Sequence, residues 1–360
     1  MPHRQGDDAL ERPAPPAVDA ASRPVRRGAT QQLPTVVDVV FLYTPHAARQ
    51  AGGARNLRQH AVELADRMNR ALADTRVEAS IDVVDAQLAT HYRSQVPEDV
   101  DVALRRVQNP KDRSVGAQAA KLRKQHSADL VALIVDDVAG DGVGGGLADT
   151  PDAPGRNTRH QAFSASGIDG AADETTSHEI GHNFGLDHER SPLGQGTPSK
   201  KHPTRTGSVT RDKRGYTIMA YLDDRVCVVD DDCTRIHRFA DRIHTWRGQP
   251  IGDKDNDQRM VLRDTAPILA AYGTPQRPVL RHALKLSQSP GGTAWPAMWG
   301  PYRPGKQITV TAFPEPGYEL AGWTFDGHRQ KGTNTNFQVP MDRARSLRAH
   351  FRLSGATPLR

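Results

Sequence analysis

Strands and helices alternate through the first half of this 360-residue chain, an irregular stretch follows, and short Gly- and Pro-punctuated strand candidates close it. These three observations predict an α+β fold: a larger domain with an α/β upper part, then a small all-β domain. Val36 to Tyr43 is an apolar run interrupted by Asp38, short enough for a buried strand. Leu57, Ala61, Leu64, Ala65, Met68 and Leu72 recur at helical spacing, so Arg55 to Asp74 is expected to be an amphipathic helix whose stripe packs in a core. Val77 to Val84 reads as the next strand, Ser114 to His126 as a helix, and Leu130 to Val135 as a fully apolar strand. Gln161 to Ser166 reads as another strand and Ala172 to Gly185 as a helix, after which the chain to about Gly273 looks irregular.

The first 33 residues are rich in Pro, Ala, Arg and Asp without periodicity, which predicts a disordered leader. The leader lacks the apolar core of a signal peptide. Thr274 to Pro278 reads as a proline-punctuated linker between residues 34–273 and a module at 279–353. In that module Leu284 to Ser287, Gln307 to Phe313, Gly322 to Phe325 and Leu347 to Phe351 are strand candidates. Trp323 reads as a core residue, whereas Trp295 and Trp299 fit either a core or an exposed binding face.

Composition excludes several classes of function. No run approaches the roughly eighteen apolar residues that span a bilayer, so no integral membrane segment is expected. The net charge of +6 is spread along the chain, and its densest run, Pro198 to Lys213, has no interleaved aromatic residues. Base stacking is therefore not indicated; this run reads as a solvated loop, and nucleic acid is not an expected partner. The charge is compatible with a preference for acidic proteins or surfaces. Gly140 to Gly146, GDGVGGG, lacks the Lys-Ser/Thr ending of a phosphate loop and the strand-helix setting of a dinucleotide site.

The segment His178 to His188 reads HEIGHNFGLDH. On a helix, residues four apart share a face, so the imidazoles of His178 and His182 reach one metal. Glu179 neighbours the first of them, where a carboxylate serves as general base toward an attacking water. Gly185 suits a left-handed helix end that turns the chain and brings His188 in as a third ligand. Three nitrogen ligands leave a position open, as a catalytic zinc site requires.

At every defined position this segment resembles the metzincin metallopeptidases, which implies Zn2+ as cofactor, a zincin-like domain with a mixed sheet and a zinc helix, and protein or peptide substrates. Tyr216-Thr217-Ile218-Met219-Ala220-Tyr221 resembles the methionine turn of that family, thirty-one residues from His188 to Met219. The resemblance implies that Met219 forms an apolar floor beneath the site. Tyr221 stands where relatives carry a tyrosine that reaches the metal or the oxyanion, with a buried core tyrosine as the alternative. The glycine-rich run is then expected to lead into an edge strand above the cleft, pairing with a peptide backbone.

Cys227 and Cys233 are the only cysteines. A metal pair, a redox pair, two buried thiols and a small disulfide loop are all open; the disulfide is favoured because the spacing exceeds a CxxC motif and the zinc already has its ligands. A disulfide fits an oxidising compartment and hence a secreted or cell-surface protein. Residues 35 to 273, with their opening VDVVFLYTP and the later RIHRFAD, resemble the peptidyl-Asp branch of the metzincins, which implies cleavage before aspartate. Where that branch has Phe-Ser-Asn-Pro, this chain has Phe239-Ala240-Asp241-Arg242. Thr309 to Trp323, with its PGYELAGW core, resembles the β repeat of bacterial internalin-type surface proteins, so a surface or matrix ligand is expected for the module. The function that follows is a zinc-dependent endopeptidase; the alternative is a surface-binding protein on a metzincin-like scaffold.

Overall fold

The computed structural model describes residues 35–93, 98–136, 145–168, 174–192, 194–221, 233–273 and 280–355. The expected leader and the 274–278 linker lie outside them. A five-stranded sheet organises the larger part of the chain, in the order β2-β1-β3-β5-β4. Its strands are β1 (Thr35–Tyr43), β2 (Ala79–Leu88), β3 (Leu130–Val135), β4 (Gly146–Ala148) and β5 (Phe163–Gly167). β1, β2, β3 and β5 run parallel, and β4 is antiparallel to β5 at the edge. The mixed sheet and the edge strand after the glycine run are thus as expected.

Among the described residues six helices flank this sheet: α1 (Pro45–Gln50), α2 (Leu57–Asp74), α3 (Val100–Gln108), α4 (Gly116–His126), α5 (Thr175–Asn183) and α6 (Gln258–Leu269). Side chains of a strand alternate between faces, and β3 divides accordingly. Leu130, Ala132 and Ile134 join one core with α2, α5 and α6, while Val131, Leu133 and Val135 join a second core with α3 and α4. The strand is apolar throughout because both of its faces are covered.

The stretch to Gly273 is more regular than expected. It holds β6 (Gly215–Thr217) paired parallel with β7 (Thr234–Ile236), the hairpin β8 (Thr245–Trp246) with β9 (Gln249–Pro250), and α6. α6 buries Val261, Leu262, Ala266 and Leu269 in the core that also contains β1. Pro267 stands inside its last turn, masking the helical signal in the sequence.

The C-terminal module is all-β, as expected. Its strands are β10 (Leu284–Gln288), β11 (Gly292–Pro296), β12 (Lys306–Pro314), β13 (Tyr318–Phe325), β14 (His328–Arg329), β15 (Asn336–Met341) and β16 (Arg345–Leu353). They form two sheets, β10-β16-β13-β14 and β11-β12-β15, sharing one apolar core. Trp323 is buried there, and its indole N–H donates to Asn334 O at 2.8 Å. Trp295 and Trp299 are half-buried and meet edge to face at 5.5 Å.

Charged groups join the module to the larger sheet. Asp38 on β1 and Asp82 on β2 are both buried, and they face Arg281, Arg303 and Lys306. Arg303 reaches Asp82 at 2.9 Å and Asp38 at 3.1 Å, and Lys306 reaches Asp82 at 3.0 Å. The Ser80 hydroxyl adds a bond to Trp299 O at 2.6 Å. Burial works to raise the carboxyl pKa of Asp82, but Lys306, Arg281 and Arg303 outweigh it and hold the group below the usual range. At Asp38 burial wins over Arg281 and Arg303, and the pKa is raised. A single Asp in the first apolar run therefore has a structural reason: it is one half of this junction.

Candidate active site

The segment carrying the histidines folds as α5, preceded by Glu174 in the left-handed region (φ 69°) and followed by Gly185 at φ 87°. Every residue of α5 is buried. A Cβ on Gly185 would meet Pro154 Cδ at 2.9 Å and Pro151 O at 3.1 Å, so both the turn and the space require glycine. The reversal brings His188 to the two helical histidines. The three Nε2 atoms lie 3.1, 2.9 and 3.0 Å apart.

The opposite ring nitrogens are all occupied. Nδ1 of His178 lies 2.8 Å from Ile218 O, that of His182 2.9 Å from Leu186 O, and that of His188 3.2 Å from Gly194 O. A carbonyl only accepts, so each Nδ1 carries the proton and each Nε2 presents a lone pair. Burial, reinforced by neighbouring imidazoles, lowers the basicity of His178 and takes His182 down to about 3; burial also lowers His188. Three neutral imidazoles with converging lone pairs repel one another unless a cation lies between them. Tetrahedral zinc ligands at roughly 2.0–2.1 Å bond length sit about 3.3 Å apart, so this donor set fits zinc after a small expansion. Among the described residues, these three form the His, Cys, Asp or Glu cluster able to hold a metal.

Glu179 is 5% exposed, and burial pushes its carboxyl up to about 8. It touches the edge strand: a Cβ on Gly146 would stand 2.5 Å from Glu179 Oε1. Glycine at the end of the glycine-rich run thus makes room for the carboxylate, a requirement that the sequence did not express. Gly181, at a variable position of the motif, has a similar reason, since its Cβ would lie 2.6 Å from Met219 Sδ. Met219 is fully buried beneath α5, and the adjoining Ile218 carbonyl orients His178. The turn therefore supplies a hydrogen-bond acceptor as well as an apolar floor.

Tyr221 is half-buried, with its ring 4.3 Å from that of His188 and stacked on His178 at 5.7 Å. Burial, then Glu179 and Glu189, push its hydroxyl pKa further above the usual phenol value, so it stays a donor. Its backbone N–H donates to Glu189 Oε2 at 2.9 Å, and Ser191 Oγ donates to Glu189 Oε1 at 2.6 Å. Glu189, buried next to His188, was not picked out from the sequence as a site residue. Asn183 and Asp187 were also missed. Asn183 Nδ2 donates to Phe163 O at 3.0 Å, and Asp187 accepts from His188 N at 2.9 Å and from Arg205 Nη2 at 2.9 Å. Their signal was present as polar residues inside a segment whose other variable positions are apolar.

Arg205 corrects the reading of 198–213 as a solvated loop. It is 3% exposed and pairs with Asp187 and Asp152, because the turn before His188 needs a cation to hold Asp187 in place. The expected Cys227–Cys233 bridge lies outside the described residues, since Cys227 is not among them. Cys233 packs against Tyr216 and Ala220.

A parallel-stranded sheet with an antiparallel edge, crossed by a helix whose two imidazoles and neighbouring carboxylate meet a third imidazole from beyond its end, defines a metallopeptidase-type centre. Residues 34–227 match metallo-peptidase family M12, and the chain belongs to that family. Residues 282–355 match the divergent InlB B-repeat domain. Serralysin from Photorhabdus sp. (strain Az29) is 36% identical over 73 residues, which cover 19% of this chain and 14% of that protein. Among solved structures, a chaperone–substrate complex matches with a TM-score of 0.49 at 16% identity, covering 67% of this chain and 35% of the other. Metalloproteinase-II from Bacteroides fragilis matches with a TM-score of 0.33 at 15% identity, covering 45% of this chain and 46% of the other. The chain thus spans less than half the length of each of these proteins.

Proposed function

We propose that the protein is a zinc-dependent endopeptidase in which His178, His182 and His188 hold the metal and Glu179 is the general base. The observation that carries this reading is the convergence of three Nε2 lone pairs beside a buried carboxylate. When bound, zinc polarises the scissile carbonyl and lowers the pKa of water toward neutrality. Glu179 takes the proton of the attacking water and passes it to the leaving amine nitrogen. The Tyr221 hydroxyl donates to the oxygen on which charge develops. Among the described residues β4 has β5 as its sheet neighbour on one side and an open edge on the other, a row of backbone groups to which an extended substrate adds as a strand.

The same proposal assigns residues 34–273 to the peptidase domain, 274–278 to a linker, and 279–353 to an accessory module. It places the protein outside the cell or on its surface, in keeping with the InlB-type match. No helix among the described residues is long and apolar enough to cross a membrane. Cleavage before aspartate is the finer part of the reading and rests on the resemblance to the peptidyl-Asp branch. Casein hydrolysis with and without chelator, alongside the Glu179→Ala chain, tests the chemistry. Activity that survives chelation, or Glu179→Ala turnover equal to the parent, overturns it. Mass-spectrometric mapping of cuts in a peptide library tests the aspartate preference, and cuts without aspartate enrichment remove it.

A further inference from the structure

A second concave site lies apart from the histidines, on the α3 and α4 side of the sheet. It has a volume of about 690 Å³, and its lining includes Arg123, Lys124, Arg156, Arg159, His160 and Phe163, with no acidic side chain. Arg123 is 8% exposed and lies over the Phe163 ring at 5.0 Å. Its guanidinium is held by the carbonyls of Asp129 at 2.7 Å, Arg159 at 3.1 Å and Ala128 at 3.4 Å, so its positions are fixed while its charge is not cancelled. Burial and the Arg159 charge lower its pKa to about 10. The nearby Asp129 carboxyl accepts from the N–H groups of Asp38 and Gly273, and burial raises it to about 7, which weakens it as a counter-ion.

Lys124, Arg156 and Arg159 have no carboxylate partner among the described residues. One held and three exposed positive charges thus surround a hollow with an aromatic wall. A charge set of this kind raises the local concentration of anions, and its repulsion is relieved when one binds. The volume falls in the range of organic ligand sites, well above that needed for a lone inorganic ion.

Position narrows the occupant. Gln108, also in the cavity lining, donates to Asp149 Oδ2 at 2.7 Å, and Asp149 directly follows the edge strand β4. Asn183, at the end of the histidine helix, ties Asp149 O to Phe163 O. A chain extended along β4 therefore continues onto the rim of this cavity. We propose that the cavity is a recognition site for acidic residues of the polypeptide substrate, outside the bond-cleaving centre. The identity of the occupant as substrate rests on the peptidase reading above; the anion site itself stands on the charge and the cavity.

The test uses the zinc-loaded full chain carrying Glu179→Ala, so that the probe is not cut. The probe is an acetylated, amidated octapeptide alternating Glu and Leu, and its Gln-for-Glu counterpart is the control. Fluorescence anisotropy is expected to show binding of the acidic peptide, weakening with salt, and little binding of the control. Arg156→Glu with Arg159→Glu, both exposed positions, should weaken binding by about tenfold or more, since removal of close charge pairs costs affinity of this order. The charge-matched reversal Lys200→Glu with Arg211→Glu, far along the chain, should leave it unchanged. Equal loss in both double variants, no loss in the first, or binding of inorganic phosphate without the peptide would overturn the proposal. If the parent chain cleaves nothing yet the peptide pattern holds, the peptidase reading fails while the anion site stands.

Discussion

Replacing Asp82 by Asn tests the junction between the two parts of the chain. The substitution keeps shape and removes one charge from a carboxylate that is 3% exposed and faces Arg303 at 2.9 Å, Lys306 at 3.0 Å and Arg281 at 3.3 Å. Arg281 and Arg303 would then share Asp38 alone, and Lys306 would lose the carboxylate to which it donates. Breaking a buried ion pair costs about 3–5 kcal/mol, but the cations here keep between 14% and 31% of their side-chain surface, so water recovers part of the loss. A cost of about 2–3 kcal/mol follows, and at roughly 2–4 °C per kcal/mol the melting temperature should fall by about 4–12 °C. Differential scanning calorimetry reads this directly. The Asp82 pKa is depressed in the fold, so its contribution is full above the unfolded carboxylate pKa of about 3.9 and is lost as pH falls through the lower folded value. Parent and Asp82→Asn should therefore differ most near neutrality and converge in strong acid. A melting temperature within about 1 °C of the parent at pH 7 would refute the assignment of the network as the junction, since a shift that small corresponds to well under 1 kcal/mol.

Other outcomes are equally specific. His182→Ala should lose most of its zinc by elemental analysis, and full stoichiometry in that variant would place the metal elsewhere. Gly146→Ala puts a Cβ 2.5 Å from Glu179 Oε1, so it should retain zinc while peptide turnover falls by about ten- to a hundredfold, the scale of a displaced catalytic group; unchanged turnover would show that the carboxylate moves freely. Cys227 and Cys233 should be bridged under oxidising conditions, and two free thiols on denatured, unreduced protein would remove that expectation.

Much of the site was legible because its geometry is local. A spacing of four on a helix sets His178 above His182 wherever the helix packs, and glycine after the second histidine announces the turn toward His188. The strands β1 and β3 were legible for a related reason, since burial on both faces leaves an apolar run. α6 was hidden by Pro267 and by an apolar stripe interrupted with charge, and Arg205 looked solvated because a cation's burial depends on partners that the chain brings in from elsewhere.

The sequence by itself pointed to the three histidines, the neighbouring carboxylate, the helix carrying His178, Glu179 and His182, and an α+β part followed by a β part, each from residues close together along the chain. Only the tertiary structure decided which carbonyls hold the three imidazoles, why Gly146 and Gly181 are glycines, how Asp38 and Asp82 meet Arg281, Arg303 and Lys306, and where cations without a carboxylate partner among the described residues gather around Arg123. The physical reason is common to all four. Spacing fixes which side chains share a face of one element, whereas contact between elements depends on how the whole chain buries its apolar surface, and no local pattern records that outcome.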